Sequence, residues 1–133
     1  MNKNDLEMMI TNDFESDAGL INISADDILR IRKDSDFIDG IRKVCASEDK
    51  NSALQSVIDE ICHAHPGARM TNLALKLLYD DDTEIKMDDI ASLGDVLENY
   101  QNVDIVWGLG RNEKSQDGMI TVCVICGFRN NPS

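Results

Sequence analysis

Apolar positions along this chain switch between two spacings, one of three to four residues and one of two, and the switches mark its elements. Leu6, Met9 and Ile10 share one side of a short helical pattern in residues 1–13. The acids and the glycine of 13–19 read as a loop. Leu20-Ile21-Asn22-Ile23 is a short apolar run. Ser24 is a good N-cap, Asp26 and Asp27 suit the first turn of a helix, and Arg30, Arg32 and Lys33 suit its last. A helix over 25–33 is therefore expected, with Ile28, Leu29 and Ile31 on its apolar side.

Residues 37–46 read as a strand with apolar groups on both faces: Ile38, Val44 and Ala46 on one, Phe37, Ile41 and Cys45 on the other. Ser47-Glu48-Asp49 opens a helix whose Leu54, Val57, Ile58 and Ile61 face the core, and His65-Pro66-Gly67 ends it. A strand follows over 70–79, with Leu73, Leu75, Leu77 and Tyr79 on one face. Asp80 to Glu84 reads as a solvated acidic turn. A helix over 87–100 aligns Ile90, Leu93, Leu97 and Tyr100. Strands over 103–109 and 119–128 flank a polar loop, and 129–133 reads as a loose tail. Alternating strands and helices predict a sheet covered by helices.

The length, 133 residues, fits one domain, and a 42% hydrophobic fraction is normal for a folded globule. The net charge changes the picture more. At −12, from 25 acids and 13 bases, it repels phosphate backbones and anionic lipid heads, so neither nucleic acid nor a membrane is an expected partner. No apolar run approaches the roughly 20 residues of a bilayer span. The start lacks the basic and apolar regions of a signal peptide. A cytoplasmic location with four reduced cysteines is expected.

Candidate chemistry is sparse. Cys123 and Cys126, with Cys62, His63 and His65 elsewhere, are zinc-ligand types. Residues three apart in a strand point to opposite faces, however, so Cys123 and Cys126 do not readily grip one ion. Buried structural cysteine is the plainer reading. A cysteine–histidine nucleophile pair assembled in space is the enzymatic alternative, together with a metal-dependent activity. Asp80, Asp82 and Glu84 alternate as calcium-loop ligands do, but Ile85 stands where that loop needs glycine and Ala91 where it needs glutamate. Trp107 lies in an apolar strand and is expected in the core. No glycine-rich phosphate loop is present in these residues, and no cofactor is expected.

Gly19-Leu20-Ile21-Asn22-Ile23-Ser24-Ala25-Asp26-Asp27-Ile28 resembles the catalytic loop and following helix of the FtsZ branch of the tubulin superfamily. Val103 to Gly110 and Asp117 to Phe128 resemble the final strand pair of the same proteins. Cys45 to Asp49, Gly67-Ala68-Arg69 and the 88–100 helix fall between them in matching order. The resemblance covers the chain from Gly19 onward. It implies a stand-alone C-terminal domain without the GTP-binding domain: a two-layer α+β sandwich of four main strands with helices on one face. The whole of 1–133 is one domain on this reading, with an added helix and loop in 1–18 and the FtsZ-like core in 19–128.

In the family that loop projects into the next subunit's nucleotide site, where an asparagine and two acids position water and cation. By resemblance Asn22 and Asp27 are retained and the first acid is Ser24, whose hydroxyl cannot supply a carboxylate's charge. The implied role is an interaction module, not an enzyme, that engages an FtsZ-type GTPase or a second copy of itself through Gly19, Leu20, Asn22, Ser24 and Asp27. A fragment of a longer FtsZ-like GTPase and a small cysteine- or metal-dependent enzyme are the alternatives.

Overall fold

The computed structural model describes residues 2–14, 19–21, 23–80, 85–111 and 118–130. Helix α1 (Lys3–Met9) is capped by Asn2, whose side chain accepts the Asp5 N–H at 2.8 Å. It runs on as a π-helical turn, Ile10–Phe14, that buries Ile10, Asp13 and Phe14. The short strand β1 (Gly19–Ile21) precedes α2 (Ala25–Asp34). Strand β2 (Phe37–Ala46), helix α3 (Lys50–His63), strand β3 (Ala68–Tyr79) and helix α4 (Met87–Leu97) follow, then β4 (Asp104–Arg111) and β5 (Met119–Asn130).

The strands form one mixed sheet in the order β1-β4-β3-β5-β2. β3 and β4 are parallel and joined through α4, as a parallel pair needs a crossover. β5 runs antiparallel between β3 and β2, in unbroken register with β2 from Phe37↔Phe128 to Ala46↔Met119. β2 and β3 are consecutive strands, yet the last strand of the chain separates them.

Strand parity sorts the core into two layers. Leu73, Leu75, Leu77 and Tyr79 of β3, with Ile120, Val122, Val124, Cys126 and Phe128 of β5, pack under Leu54, Val57, Ile58 and Ile61 of α3 and Leu93 of α4. Ala74 and Leu78 of β3, with Cys123 and Ile125 of β5, face the other way. They pack against Leu6, Met9, Ile10, Phe14, Ile28 and Ile31.

The expected α+β sandwich, with four long strands and the α3–α4 layer on one face, is the observed architecture. Helices on one face alone is corrected: α1, its π turn and α2 cover the opposite face. The even-numbered positions of β3 include Ala74 and Leu78, which need their own cover, and α1, its π turn and α2 supply it. Two smaller differences follow from pairing. β5 extends through Asn130, where the Asn130 N–H meets Asp36 Oδ2 at 2.9 Å, so the first two residues of the expected tail are strand. Asp80 is 1% exposed rather than solvated. Its carboxylate accepts the Gly118 N–H at 2.8 Å and its carbonyl accepts Arg111 Nη1. Asp81 to Glu84, which held the rest of the calcium-like spacing, lie outside the described residues.

Candidate functional site

The segment from Gly19 to Asp27 folds as edge strand, connection and helix start. Gly19 pairs with Gly110 and Ile21 with Leu109, with a register shift between them. Gly108 lets this segment approach β4, since a Cβ there would stand 2.6 Å from the Ile21 carbonyl oxygen. Ile23 is buried and anchors the connection to the α1–α2 layer. Asn22 lies outside the described residues, as do the side-chain surroundings of Gly19 and Leu20.

Ser24 and Asp27 are both occupied. The Asp27 N–H donates to Ser24 Oγ and the Ser24 N–H donates to Asp27 Oδ2, each at 3.1 Å, which makes a reciprocal capping box. Asp27 Oδ1 meets Arg30 Nη1 at 3.4 Å, and Arg30 Nε donates to Asp104 Oδ2 at 3.0 Å. The two candidate residues therefore hold the helix start and, through Arg30, tie it to the beginning of β4. Ser24 stays exposed at the surface.

The fold divides the cysteines between the two sides of the sheet. Cys123 belongs to the α1–α2 side and Cys126 to the α3–α4 side, as strand period requires. Burial pushes both thiols well up; the Asp13 carboxylate near Cys123, and the Cys62 thiol and then the Asp39 carboxylate near Cys126, act in the same direction. Burial also raises Cys62 and Cys45, helped by Asp59 and Asp49 respectively. A thiol held protonated is a poor nucleophile and a poor metal ligand. Among the described residues no three His, Cys, Asp or Glu side chains converge as a metal site.

His63 is exposed at the end of α3. His65 is half-buried instead. Its Nε2 lies 2.8 Å from Asp39 Oδ2, and its ring stands 4.9 Å from Phe37 and 5.1 Å from Phe128. Burial raises the Asp39 carboxyl, but the His65 contact and the Gly40 N–H outweigh it and bring the group below its ordinary value. Sequence reasoning missed this cluster. Phe37 and Asp39 share a strand face, which was readable, but the docking of a post-helix histidine on that face depends on the β2–α3 packing.

A groove on the outer side of α3 is lined by Asn51, Gln55, Ser56, Asp59 and His63. Gln55 bridges it, donating to Asp59 Oδ1 at 3.0 Å and to the Tyr100 hydroxyl at 2.6 Å. The polar groups there bond to one another across an open surface, which is the pattern of a solvated helix face.

No family model matches the sequence, and no curated protein matches it. Solved structures do. An empty FtsZ dimer from M. jannaschii superposes with TM-score 0.60 at 15% identity, over 96% of this chain and 39% of the other. An FtsZ W319Y mutant from M. jannaschii gives 0.62 at 13% identity, over 93% and 39%. The fold is FtsZ-like. At these identities the likeness is one of fold, and the chain spans well under half the length of those FtsZ chains. A HypE–HypF complex gives TM-score 0.50 at 12% identity, over 95% of this chain and 42% of that one. No helix among the described residues of this FtsZ-like domain is long and apolar enough to cross a membrane.

Proposed function

We propose that this FtsZ-like domain is an interaction module that engages an FtsZ-type polymer, or copies part of its interface, and does not hydrolyse GTP by itself. What supports the reading is the FtsZ-like fold over 93% of this chain, with 39% of an FtsZ chain covered, together with the Gly19–Ile21 edge strand and the Ser24–Asp27 helix start that belong to it. No glycine-rich phosphate loop lies in these residues. By the resemblance, one subunit's C-terminal domain packs against the next subunit's nucleotide domain. The Gly19–Asp27 segment is the part of this chain that corresponds to that contact, and a free domain bearing it would cap or tune a polymer in cell division.

Cosedimentation with the host's own FtsZ tests this. Added domain is expected to enter the pellet and change polymer mass; if it does neither at excess concentration, the reading fails. Asn22→Ala is the informative variant, because Asp27→Ala also breaks the capping box and weakens α2. Nucleotide titration by calorimetry is expected to show no GTP binding, and micromolar affinity would overturn the second half of the proposal. The same coverage favours a second reading, a piece of a longer FtsZ-like GTPase. The mass of the native protein in its host's extract decides between them.

A further inference from the structure

β2 ends the sheet, and its outer backbone groups follow a definite phase. The Ser47 N–H donates to the Gly118 carbonyl at 2.9 Å, which continues the β2–β5 register by one residue. In an antiparallel ladder, bonded and unbonded residues alternate. Odd-numbered β2 residues therefore bond to β5, and Ile38, Gly40, Arg42, Val44 and Ala46 direct N–H and C=O outward. Two further observations agree. The Val124 carbonyl, opposite Ile41, is aimed at β2, 2.7 Å from where a Gly40 Cβ would stand. The outward Gly40 N–H is taken at 2.8 Å by the side chain of Asp39. Among the described residues no strand pairs with this edge.

A long, unpaired edge is usually blunted by charge. The charges here have another property. A twofold axis normal to the sheet keeps each face on its own side, so residues of equal parity meet. With the axis at Ile41, Asp39 stands opposite the partner's Lys43, Ile38 opposite the partner's Val44, Phe37 opposite the partner's Cys45, and Arg42 opposite the partner's Gly40. No like charges stand directly opposite; the two Arg42 are diagonal neighbours across the axis, and each is paired with its own Asp13 at 3.0 Å. Centring on Arg42 would set that guanidinium against itself, and centring on Gly40 would set Asp39 against isoleucine. Val44, 51% exposed, is the apolar residue that this pairing covers.

We propose that two copies of this chain pair through β2, antiparallel and centred on Ile41, to form one continuous sheet. The outward groups of Gly40 and Arg42, and of Ile38 and Val44, exchange both ladder bonds across the axis. Asp39 Oδ1 releases the Gly40 N–H to the partner's Arg42 carbonyl and faces the partner's Lys43, while Oδ2 keeps its contact with His65. This pairing is independent of any FtsZ-type partner. The charge of −12 on each copy opposes association, so the measurement belongs near physiological salt, where the Debye length is about 8 Å.

Sedimentation equilibrium of the intact chain tests the proposal. A monomer–dimer equilibrium is expected. Val44→Pro removes an outward N–H and no internal ladder bond, and is expected to weaken the dimer at least about tenfold while the circular dichroism spectrum is kept. Asp39→Lys and Lys43→Glu each set like charges opposite one another twice and are expected to be monomeric alone. Mixed in equal amounts they restore opposite charges at both pairs and are expected to form a heterodimer. A wild-type chain that is monomeric up to millimolar concentration, a dimer indifferent to Val44→Pro, or folded charge variants that do not pair on mixing would each overturn it.

Discussion

The two faces of the sheet solve the same burial problem in different ways. Beneath α3 and α4, the strands present large branched side chains, and Leu54, Ile58 and Ile61 lie on Leu73, Leu75, Val122 and Val124 with almost no polar atom among them. Beneath α1 and α2, the strands contribute Ala74, Leu78, Cys123 and Ile125 to the apolar cluster, with the partly buried Ile38 and Val106 against it, and Asn72, Lys76 and Thr121 are buried on the same parity. Three glycines also face this side. A Cβ at Gly40 would stand 2.8 Å from Met9 Cε, one at Gly108 3.2 Å from Ile23, and one at Gly127 would strike Ser35 Oγ. The first face is filled by side-chain volume; the second is closed by bringing helices and the β1 connection down onto bare backbone. Volume lost on the first face leaves a cavity, whereas volume added on the second has nowhere to go.

That difference is open to direct attack. Ile58→Ala empties a fully buried site under α3 and is expected to cost about 2–5 kcal/mol in urea unfolding. A loss below about 1 kcal/mol would mean that the α3 layer collapses to fill the space. Gly40→Ala adds one methyl where Leu6, Met9 and the Val124 carbonyl already close in, and is expected to destabilise by about 1–3 kcal/mol. Neutral behaviour there would show α1 to be loosely seated.

Thr121→Val removes a buried hydroxyl that has no partner among the described residues. Its desolvation is then uncompensated, so the valine is expected to be neutral or to stabilise by up to about 1 kcal/mol. Destabilisation would mean that the hydroxyl is bonded in solution. The smallest expected effect lies at the edge of the α3 face. Asp39 sits below its ordinary value of 3.8. Its contribution is therefore fully present above that value and is lost as pH falls through the lower, folded one. The His65 pair is partly exposed, so a few tenths of a kcal/mol are at stake. Asp39→Asn is expected to flatten the stability profile below about pH 4, and an unchanged profile would remove Asp39 as its source.

The candidate site was legible unevenly. Ser24 and Asp27 could be read as N-cap and first-turn acid because a helix start states its needs within four residues. Their reciprocal bonds are that local chemistry. The Arg30–Asp104 link, which ties the helix start to β4, joins residues far apart in the chain and had no local signal. The Asp39–His65 pair was missed for the same reason. Asp80 was misread because an acid in a run of acids looks solvated until the distant Gly118 and Arg111 come to bond it.

Spacing along the chain determined which residues form helices and which form strands. It determined the parity that sends Cys123 and Cys126 to opposite faces, and the apolar stripe of α3. These follow from the periods of the helix and the strand, which each short segment carries within itself. Only the tertiary structure decided that β5 lies between β2 and β3, that α1, its π turn and α2 cover the second face, and that β2 is left as the edge. Strand order is set by which distant segments bury each other's surfaces best, and no local period records that competition.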